Sequence, residues 1–349
     1  MSGDGISSVE TVSSRWLRSS RTVLADRGVL INIAFVLASV LLVVTAALTS
    51  DAFLTQNNIS NVMQQMVTTG LLSLGMLIVI LTAGIDLSVG SICALAGILS
   101  AGLSQSMPLP IAIIVGILAG SVCGAANGFF VARFALAPFV VTLAGLTTIR
   151  GLAFVYSQIP IAPTNPSFLS LGSDTIGPLP VSALIMFVAF ALGWVFVNRT
   201  TTGRALVAIG GNSEAARLAG VNVRWHLLLA YMISGTCAGV GGVILASRVG
   251  IAQPSVGVGL ELDAIAACVI GGASLMGGRG TVAGTLGGVL LLGLINNLLN
   301  LYNVQSYWQQ VLKGAIIVTV VLARSRSGEG GWWRANKRNP RSTSSRRES

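Results

Sequence analysis

The chain has 349 residues, of which 53% are hydrophobic and only 9% are charged, and its net charge is +10. Soluble domains have about 25% charged residues, so this composition excludes an ordinary soluble protein and predicts an all-α polytopic membrane protein. Behind the last apolar run, between 324 and 349, eight basic residues accompany two acidic ones. Basic segments beside a membrane are typical of its cytoplasmic side, so this charge indicates contact with anionic lipid and no nucleic-acid partner.

Apolar runs separated by proline, glycine and charged residues predict about ten transmembrane helices. The first run, 29–48, is longer than the apolar core of a cleavable signal, which has about 7–15 residues. We therefore expect an uncleaved helix behind a disordered cytoplasmic leader at 1–28, a transmembrane domain at 29–323 and a basic cytoplasmic tail at 324–349. The predicted spans are 29–48, 62–82, 87–103, 110–132, 138–157, 180–198, 227–247, 261–276, 281–299 and 306–323.

Basic residues orient these spans. An even number of spans puts both termini on one side, and the positive-inside rule makes that side the cytoplasm. Five arginines then lie inside: Arg133, Arg199, Arg204, Arg217 and Arg224. Arg248 alone falls outside, since the other predicted external loops contain no lysine or arginine.

A short stretch near the second span, "LTAGIDLSVGS", contains Asp86, which is the only charged residue between Asp51 and Arg133. "GIDLSVG" at 84–90 resembles "GASLMGG" at 272–278, and both precede another glycine-rich apolar run. If spans 2–5 and 7–10 were the repeat units, the second unit would be inverted, as in many transporters. The alternative is that glycine-rich helices simply look alike.

The largest predicted internal loop, 199–226, contains "TTGRALVAIGGNSEAARLAGVNV". Asn212 or Ser213 can cap a helix, Glu214 suits its first turn, Arg217 lies one turn on and Gly220 can end it. The pattern predicts a short charged helix on the cytoplasmic side. A simple linker does not need a helix with defined ends, whereas a docking surface for a cytosolic partner does.

Several charged or polar residues lie within or at the border of the predicted spans. Because a charge in hydrocarbon costs at least about 2.5–3.5 kcal/mol, such groups pair within the bundle or face a water-filled path. Glu261 and Asp263 are candidates to pair with Arg150 or Lys313. The candidates for the translocation path or for intramembrane polar contacts are Asp86, Ser88, Arg150, Glu261, Asp263 and Lys313.

The sequence offers little for catalysis. His226 is the only histidine, so neither a serine–histidine triad nor a histidine-based metal site is expected. Neither lysine, Lys313 nor Lys337, follows a glycine as a Walker A loop requires. We therefore predict a chain that is not an enzyme and binds no metal; if it pumps, another subunit supplies the energy.

Three motifs, "TAGIDLSVGS", "GRALVAIGGNSEAARLAGVNV" and "ELDAIAACVIGGASLMGGRGTVAGTLGG", occur in this order along the chain. They resemble the permeases of ATP-binding cassette (ABC) importers for monosaccharides, the ribose, xylose, galactose and arabinose group. The resemblance runs from about 30 to 323. It implies a type II importer fold of ten helices in the bacterial cytoplasmic membrane.

The resemblance also implies partners: two ABC ATPase subunits, an extracytoplasmic sugar-binding protein and a second permease copy or sister permease. The chain itself would hold no cofactor, and ATP and Mg²⁺ would bind the ATPase. The ATPase-coupling loop implied by the resemblance comprises Gly203, Arg204, Gly210, Gly211, Asn212, Glu214, Ala215, Ala216, Arg217, Ala219 and Gly220.

Asp86 lies in the first of the three motifs, "TAGIDLSVGS". The resemblance implies that it lies beside a broken helix, where its carboxylate would accept backbone or arginine hydrogen bonds; contact with sugar hydroxyls is the alternative. For the whole chain, two further interpretations stay open at this point. One is a branched-chain amino acid ABC permease of related fold. The other is a secondary carrier that needs no ATPase.

Overall fold

The computed structural model describes residues 40–41 and 43–324. The predicted leader 1–28, most of the predicted first span 29–48 and the basic tail beyond residue 324 lie outside the described residues. The chain divides into two compact units. The first, Ala46–Ile317, contains every candidate site residue; in the second, Met1–Thr45 with Val318–Ser349, the described residues are helical.

The described chain is almost entirely helical, as the composition predicted, with one small antiparallel hairpin of β1 (Thr175–Ile176) and β2 (Leu179–Pro180). Residues 43–49 are helical and precede the first complete helix. The complete helices are α1 (Gln56–Leu81), α2 (Val89–Leu103), α3 (Leu109–Phe134), α4 (Pro138–Tyr156), α5 (Pro166–Ser173), α6 (Val181–Arg199), α7 (Thr201–Gly211), α8 (Ser213–Leu218), α9 (Val223–Val249), α10 (Leu260–Ile270), α11 (Val282–Leu301) and α12 (Ser306–Arg324).

Among the described residues, six helices are long and apolar enough to cross a membrane: α1, α3, α4, α6, α9 and α11. The chain is therefore a multi-pass membrane protein. The predicted spans 87–103 and 261–276 correspond to the shorter helices α2 and α10. The total of ten spans stays a prediction.

Some predicted boundaries were wrong, for local reasons. Helix α1 begins at Gln56 and not at 62, because Thr55 caps a polar first turn that hydropathy does not detect. Helix α10 ends at Ile270 and not at 276, because the glycine-rich segment after it turns the chain, with Gly272 at a φ of +98°.

Helices α1 and α9 form the centre of the first unit. Every residue of α1 from Gly70 to Leu81 is buried, and α9 packs along α1, α2 and α3. The backbones of α3 and α9 approach closely, since a Cβ atom at Gly120 would lie 2.6 Å from the carbonyl oxygen of Gly235. Small residues permit this close contact between the helices.

The two similar sequence segments lie at two interruptions of the helical structure. The first, 82–88, separates α1 from α2, and the second, 271–281, separates α10 from α11. They meet where the N–H of Gly278 donates to the carbonyl oxygen of Leu81, at 3.0 Å. The two similar segments therefore occupy matching places beside helix breaks and contact each other; the inverted relation of the larger units stays a prediction.

The segment 250–259, between α9 and α10, returns to the start of α2. A Cβ atom at Gly90 would overlap the carbonyl oxygen of Gly257, and Gly257 itself has a φ of +82°. Helices α2 and α10 thus begin side by side within the bundle. Short helices that begin inside a bundle are common where transporters build their substrate path.

Candidate functional site

Helix α8 has its own cap and its own stop. The Oδ1 atom of Asn212 accepts hydrogen bonds from the backbone N–H groups of Glu214 and Ala215, at 3.1 and 2.9 Å. Gly220 has a φ of +86°, which favours glycine and ends the helix. The short capped helix predicted from the sequence is confirmed, with the first of the two candidate residues as its cap.

The outer surface of α8 combines a charged pair with a large apolar side chain. The Nε atom of Arg217 donates to Oε2 of Glu214 at 3.0 Å, and both side chains are nearly two-thirds exposed, at 63% and 64%. This hydrogen bond holds the pKa of the Glu214 carboxyl below its usual range, so the pair is charged at neutral pH. Exposed ion pairs contribute little to stability, so folding does not explain this surface.

Leu218 is 76% exposed at the end of α8, and the sequence analysis did not single it out. A signal was present, because Leu218 is the only large apolar residue in "NSEAARLAG". In a sequence, a large apolar residue at such a position predicts contact with the protein core. Its exposure instead adds an apolar contact point beside the Glu214–Arg217 pair, and such a combination is typical of a protein-binding surface.

The predicted coupling-loop positions separate into two groups. The exposed ones are Arg204, Gly211, Asn212, Glu214, Ala215, Arg217, Ala219 and Gly220. The packed ones are Gly203, Gly210 and Ala216. The packed glycines contact backbone, since a Cβ atom at Gly203 would overlap the carbonyl oxygen of Phe196 and one at Gly210 would overlap that of Leu81.

A cleft of about 380 Å³ lies beside α8. Glu214, Arg217 and Arg224 line it on one side, while Thr82 and Gly84 of the first interruption line it on another. The turn between α3 and α4 and the start of α9 complete the wall. The exposed helix and the interrupted motif that contains Asp86 therefore border the same cleft.

The Asp86 carboxylate is fully buried and hydrogen-bonded. Its Oδ1 atom accepts from the backbone N–H of Ser88 at 3.0 Å and from the Ser88 hydroxyl at 2.6 Å, and its Oδ2 atom accepts from the hydroxyl of Ser234 at 2.9 Å. Asn127 donates to the same Ser88 hydroxyl at 2.8 Å. This network fastens the first interruption to α9 and α3, which favours the role of fixing a broken helix over contact with sugar.

The donors to Asp86 are partly those expected. The backbone N–H was predicted, but two hydroxyl groups take the place of the expected arginine. Sequence spacing could not reveal Ser234 as a partner, because it lies 148 residues away in α9. Only the fold brings the two together.

The charged residues of α4, α10 and α12 pair in part as predicted. The ammonium group of Lys313 lies 2.9 Å from Oδ2 of Asp263, which confirms that pair. Arg150 instead donates to the carbonyl oxygens of Pro254 and Val256, and Glu261 attracts it electrostatically. The Arg150 guanidinium therefore holds the returning segment 250–259 against α4.

Comparison with known proteins assigns the fold described above. The family model for the permease component of branched-chain amino acid transport systems matches residues 58–321. The ribose import permease protein of Bacillus subtilis is 43% identical over 305 residues, which cover 86% of this chain and 95% of that protein. The corresponding protein of Haemophilus influenzae is 39% identical over 298 residues, covering 84% and 92%.

The xylose transport system permease protein of Escherichia coli K12 is 34% identical over 337 residues, which cover 78% of this chain and 86% of that protein. No solved structure matches the chain. The resemblance to sugar permeases stated from the three motifs is confirmed. The chain is thus a multi-pass membrane permease of the branched-chain amino acid transport system permease family, related over most of its length to ribose and xylose permeases.

Proposed function

We propose that the chain is the permease subunit of an ABC importer that carries a monosaccharide across the bacterial cytoplasmic membrane. Relatives named for ribose, allose and xylose support a sugar over the branched-chain amino acid of the family description. Separate ATPase subunits supply the energy and bind ATP with Mg²⁺. An extracytoplasmic sugar-binding protein delivers the substrate, and a second copy or a sister permease completes the membrane part.

The observation that carries the proposal is the surface of α8. This capped helix presents an exposed ion pair beside an exposed leucine, a combination of charged and apolar groups that a protein partner can cover. In the proposed orientation, with both termini cytoplasmic, α8 faces the cytosol, where an ATPase is available. Lys313, the lysine within the described residues, forms an ion pair with Asp263 and does not belong to a nucleotide site.

Copurification tests this docking. The permease is expressed with the ATPase of its own operon or genome neighbourhood, extracted in mild detergent and analysed by mass spectrometry. We expect Leu218→Asp to reduce the ATPase recovered per permease about tenfold, the scale of a single interface hot spot. Asp174→Ala, an exposed change on the predicted external side, is the matched control and keeps the ATPase bound.

Charge reversal refines the same experiment. Arg217→Glu places two acids one turn apart and weakens docking, while the double exchange Glu214→Arg with Arg217→Glu restores the pair within the helix. An ATPase that stays fully bound to Leu218→Asp and to Arg217→Glu contradicts α8 as the docking helix. A wild-type permease that retains no ATPase contradicts the importer assignment itself.

Uptake competition separates the two substrate classes. In cells that depend on this permease, an excess of unlabelled pentose is expected to block uptake of labelled ribose, whereas leucine is not. Inhibition by leucine and not by any pentose or hexose contradicts the sugar assignment. It would indicate that the chain carries a branched-chain amino acid.

A further inference from the structure

The C-terminal end of α7 touches the end of α1, directly before the first interruption, and also the second interruption. A Cβ atom at Gly210 would overlap the carbonyl oxygen of Leu81, and it would lie 2.5 Å from the backbone nitrogen of Gly278. Gly278 in turn donates to Leu81, at 3.0 Å. Three backbone segments therefore meet at one point, which we call the glycine junction (Leu81, Gly210 and Gly278 with their neighbours Ala83, Gly211 and Gly277).

The junction is packed mainly through backbone atoms, together with the methyl group of Ala83. A Cβ atom at Gly277 would lie 2.6 Å from the Cβ of Ala83, and one at Gly278 would lie 2.9 Å from the backbone nitrogen of Gly211. Both Gly277 and Gly278 have positive φ, at +85° and +69°. Backbones in direct contact cannot absorb a displacement by changing side-chain rotamers, so movement of one segment displaces the others.

The junction is also linked rigidly to α8. Helix α7 ends at Gly211, and the next residue, Asn212, is both the last-turn cap of α7 and the N-cap of α8. Its N–H donates to the carbonyl oxygen of Ala208 at 3.0 Å, while its side chain holds the first turn of α8. No flexible residue run separates the two helices.

The second interruption leads to α10 and α11, and the first leads to Asp86 and the start of α2. Helices α2 and α10 begin beside each other at the contact of Gly90 with Gly257. A displacement at the junction would therefore reach α2 at its start, through the first interruption, and α10 at its end, through the second. This is the arrangement needed to change the spacing of two helices that border a path through the bundle.

We propose that the glycine junction transmits the movement of α8 to the two interruptions, with Gly210 as the positioning residue at the point of transfer. The proposal rests on the proposed function, because the movement comes from a bound ATPase. Gly210 does not touch the ATPase or the sugar. It acts by keeping α7 in contact with Leu81 and Gly278.

A glycine outside the junction and the coupling loop provides the control. Gly151 is exposed inside α4, and a Cβ atom there meets nothing within 4 Å, whereas one at Gly210 overlaps backbone. Alanine favours a helix at both positions, so helix propensity does not distinguish the two changes. Gly210→Ala and Gly151→Ala therefore differ in the contact with the junction.

The experiment uses the full complex in proteoliposomes, with labelled ribose as the probe, and measures bound ATPase, ATP hydrolysis and uptake. For Gly210→Ala we expect bound ATPase within about twofold of the wild type, while uptake per ATP hydrolysed falls at least about tenfold, within the range of coupling between distant sites. Gly151→Ala keeps both the bound ATPase and the uptake per ATP of the wild type. Uptake per ATP that is equal in the two variants, with the ATPase bound, overturns the proposal.

A second variant covers the case in which Gly210→Ala does not accumulate in the membrane. Two glycines inserted between Gly211 and Asn212 leave the junction and α8 intact but separate them, at an exposed site. ATPase binding without uptake is the expected result, and normal uptake overturns the proposal. A wild-type complex that never contains an ATPase refutes the proposed function instead, so the two failures are distinguishable.

Discussion

Asp86 lies in the first interruption, between the end of α1 and the start of α2. Its carboxylate satisfies the N–H of Ser88 and the hydroxyls of Ser88 and Ser234 while having no exposed surface itself. Such a group can replace the missing helical hydrogen bonds inside a bundle. The solitary carboxylate in an apolar stretch is therefore explained by local bonding that keeps the interruption in one conformation.

Substitution at Asp86 tests this role. Asp86→Asn keeps an oxygen acceptor for Ser88, and its amide can donate to the hydroxyl of Ser234. Asp86→Leu leaves these buried groups unpaired, each at a cost of about 1–3 kcal/mol. We expect Asn to retain more uptake and a higher melting temperature in detergent than Leu, and equal values for the two variants would refute the hydrogen-bonding role.

The pair of Asp263 and Lys313 joins α10 to α12 and is only slightly exposed, at 16% and 23%. Asp263→Asn leaves the lysine without its counterion in a partly buried place. The expected loss is about 1–3 kcal/mol, between the values of surface and fully buried pairs. Thermal unfolding in detergent measures it, and the exchange Asp263→Lys with Lys313→Asp should recover part of the loss; no recovery would mean that neighbours other than the pair hold these residues.

Among the elements, the segment 250–259 depends on Arg150 for its position. The guanidinium donates to two of its carbonyl groups, and the segment in turn contacts the start of α2 at Gly90. A charged donor serving two carbonyls is among the stronger hydrogen-bonding arrangements in a protein. Removing it should loosen the segment without unfolding the bundle, because the helices around it pack through other residues.

Arg150→Met tests the segment by keeping an unbranched apolar side chain in place of the arginine stem and removing the guanidinium donors. Losing bonds worth about 1.5–3 kcal/mol should speed amide hydrogen exchange in 250–259 at least about tenfold. The control, Arg133→Met, changes an exposed arginine at the end of α3 and should leave that exchange unchanged. Unaltered exchange in Arg150→Met would show that the other contacts of the segment, with Gly90 and with the backbone of Ile161, hold it in place.

The sequence predicted elements well where apolar runs are bounded by strong signals. Helix α3 was expected at 110–132 and runs Leu109–Phe134, because Pro108 precedes its first turn and Arg133 ends the uncharged run. The backbone of Ala135, with a φ of +53°, then ends the helix. The charged helix α8 was predicted because capping is local. The beginning of α1 was missed, since its polar first turns are stabilised by Thr55 and not by apolar packing.

The contacts between elements could not be predicted from spacing. Asp86 and Ser234, or Gly210 and Leu81, are far apart in the sequence and meet only after the bundle has formed. Glycine counts indicate that close approach occurs, but not which backbones approach. The predicted Lys313–Asp263 pair succeeded because few charges exist in the spans, so few partners were available.

At the scale of the whole molecule, the first unit connects an exposed docking surface to two helix interruptions through backbone contacts. Helix α8 offers the surface, and α7 links it to the glycine junction. The first interruption leads from there to the start of α2, and the second joins the end of α10 to α11. Under the proposed function, the force that moves these helices comes from a bound ATPase. The relatives named for ribose, allose and xylose indicate what such a device moves.

Sugar uptake into proteoliposomes tests the central claim most directly. The permease is reconstituted with its ATPase and binding protein, ATP is sealed on the ATPase side, and entry of labelled ribose and xylose is followed with and without ATP. We predict accumulation against a gradient that requires both ATP and the ATPase. Uptake by the permease alone, driven by an ion gradient and unaffected by ATP, would contradict the account and identify a secondary carrier.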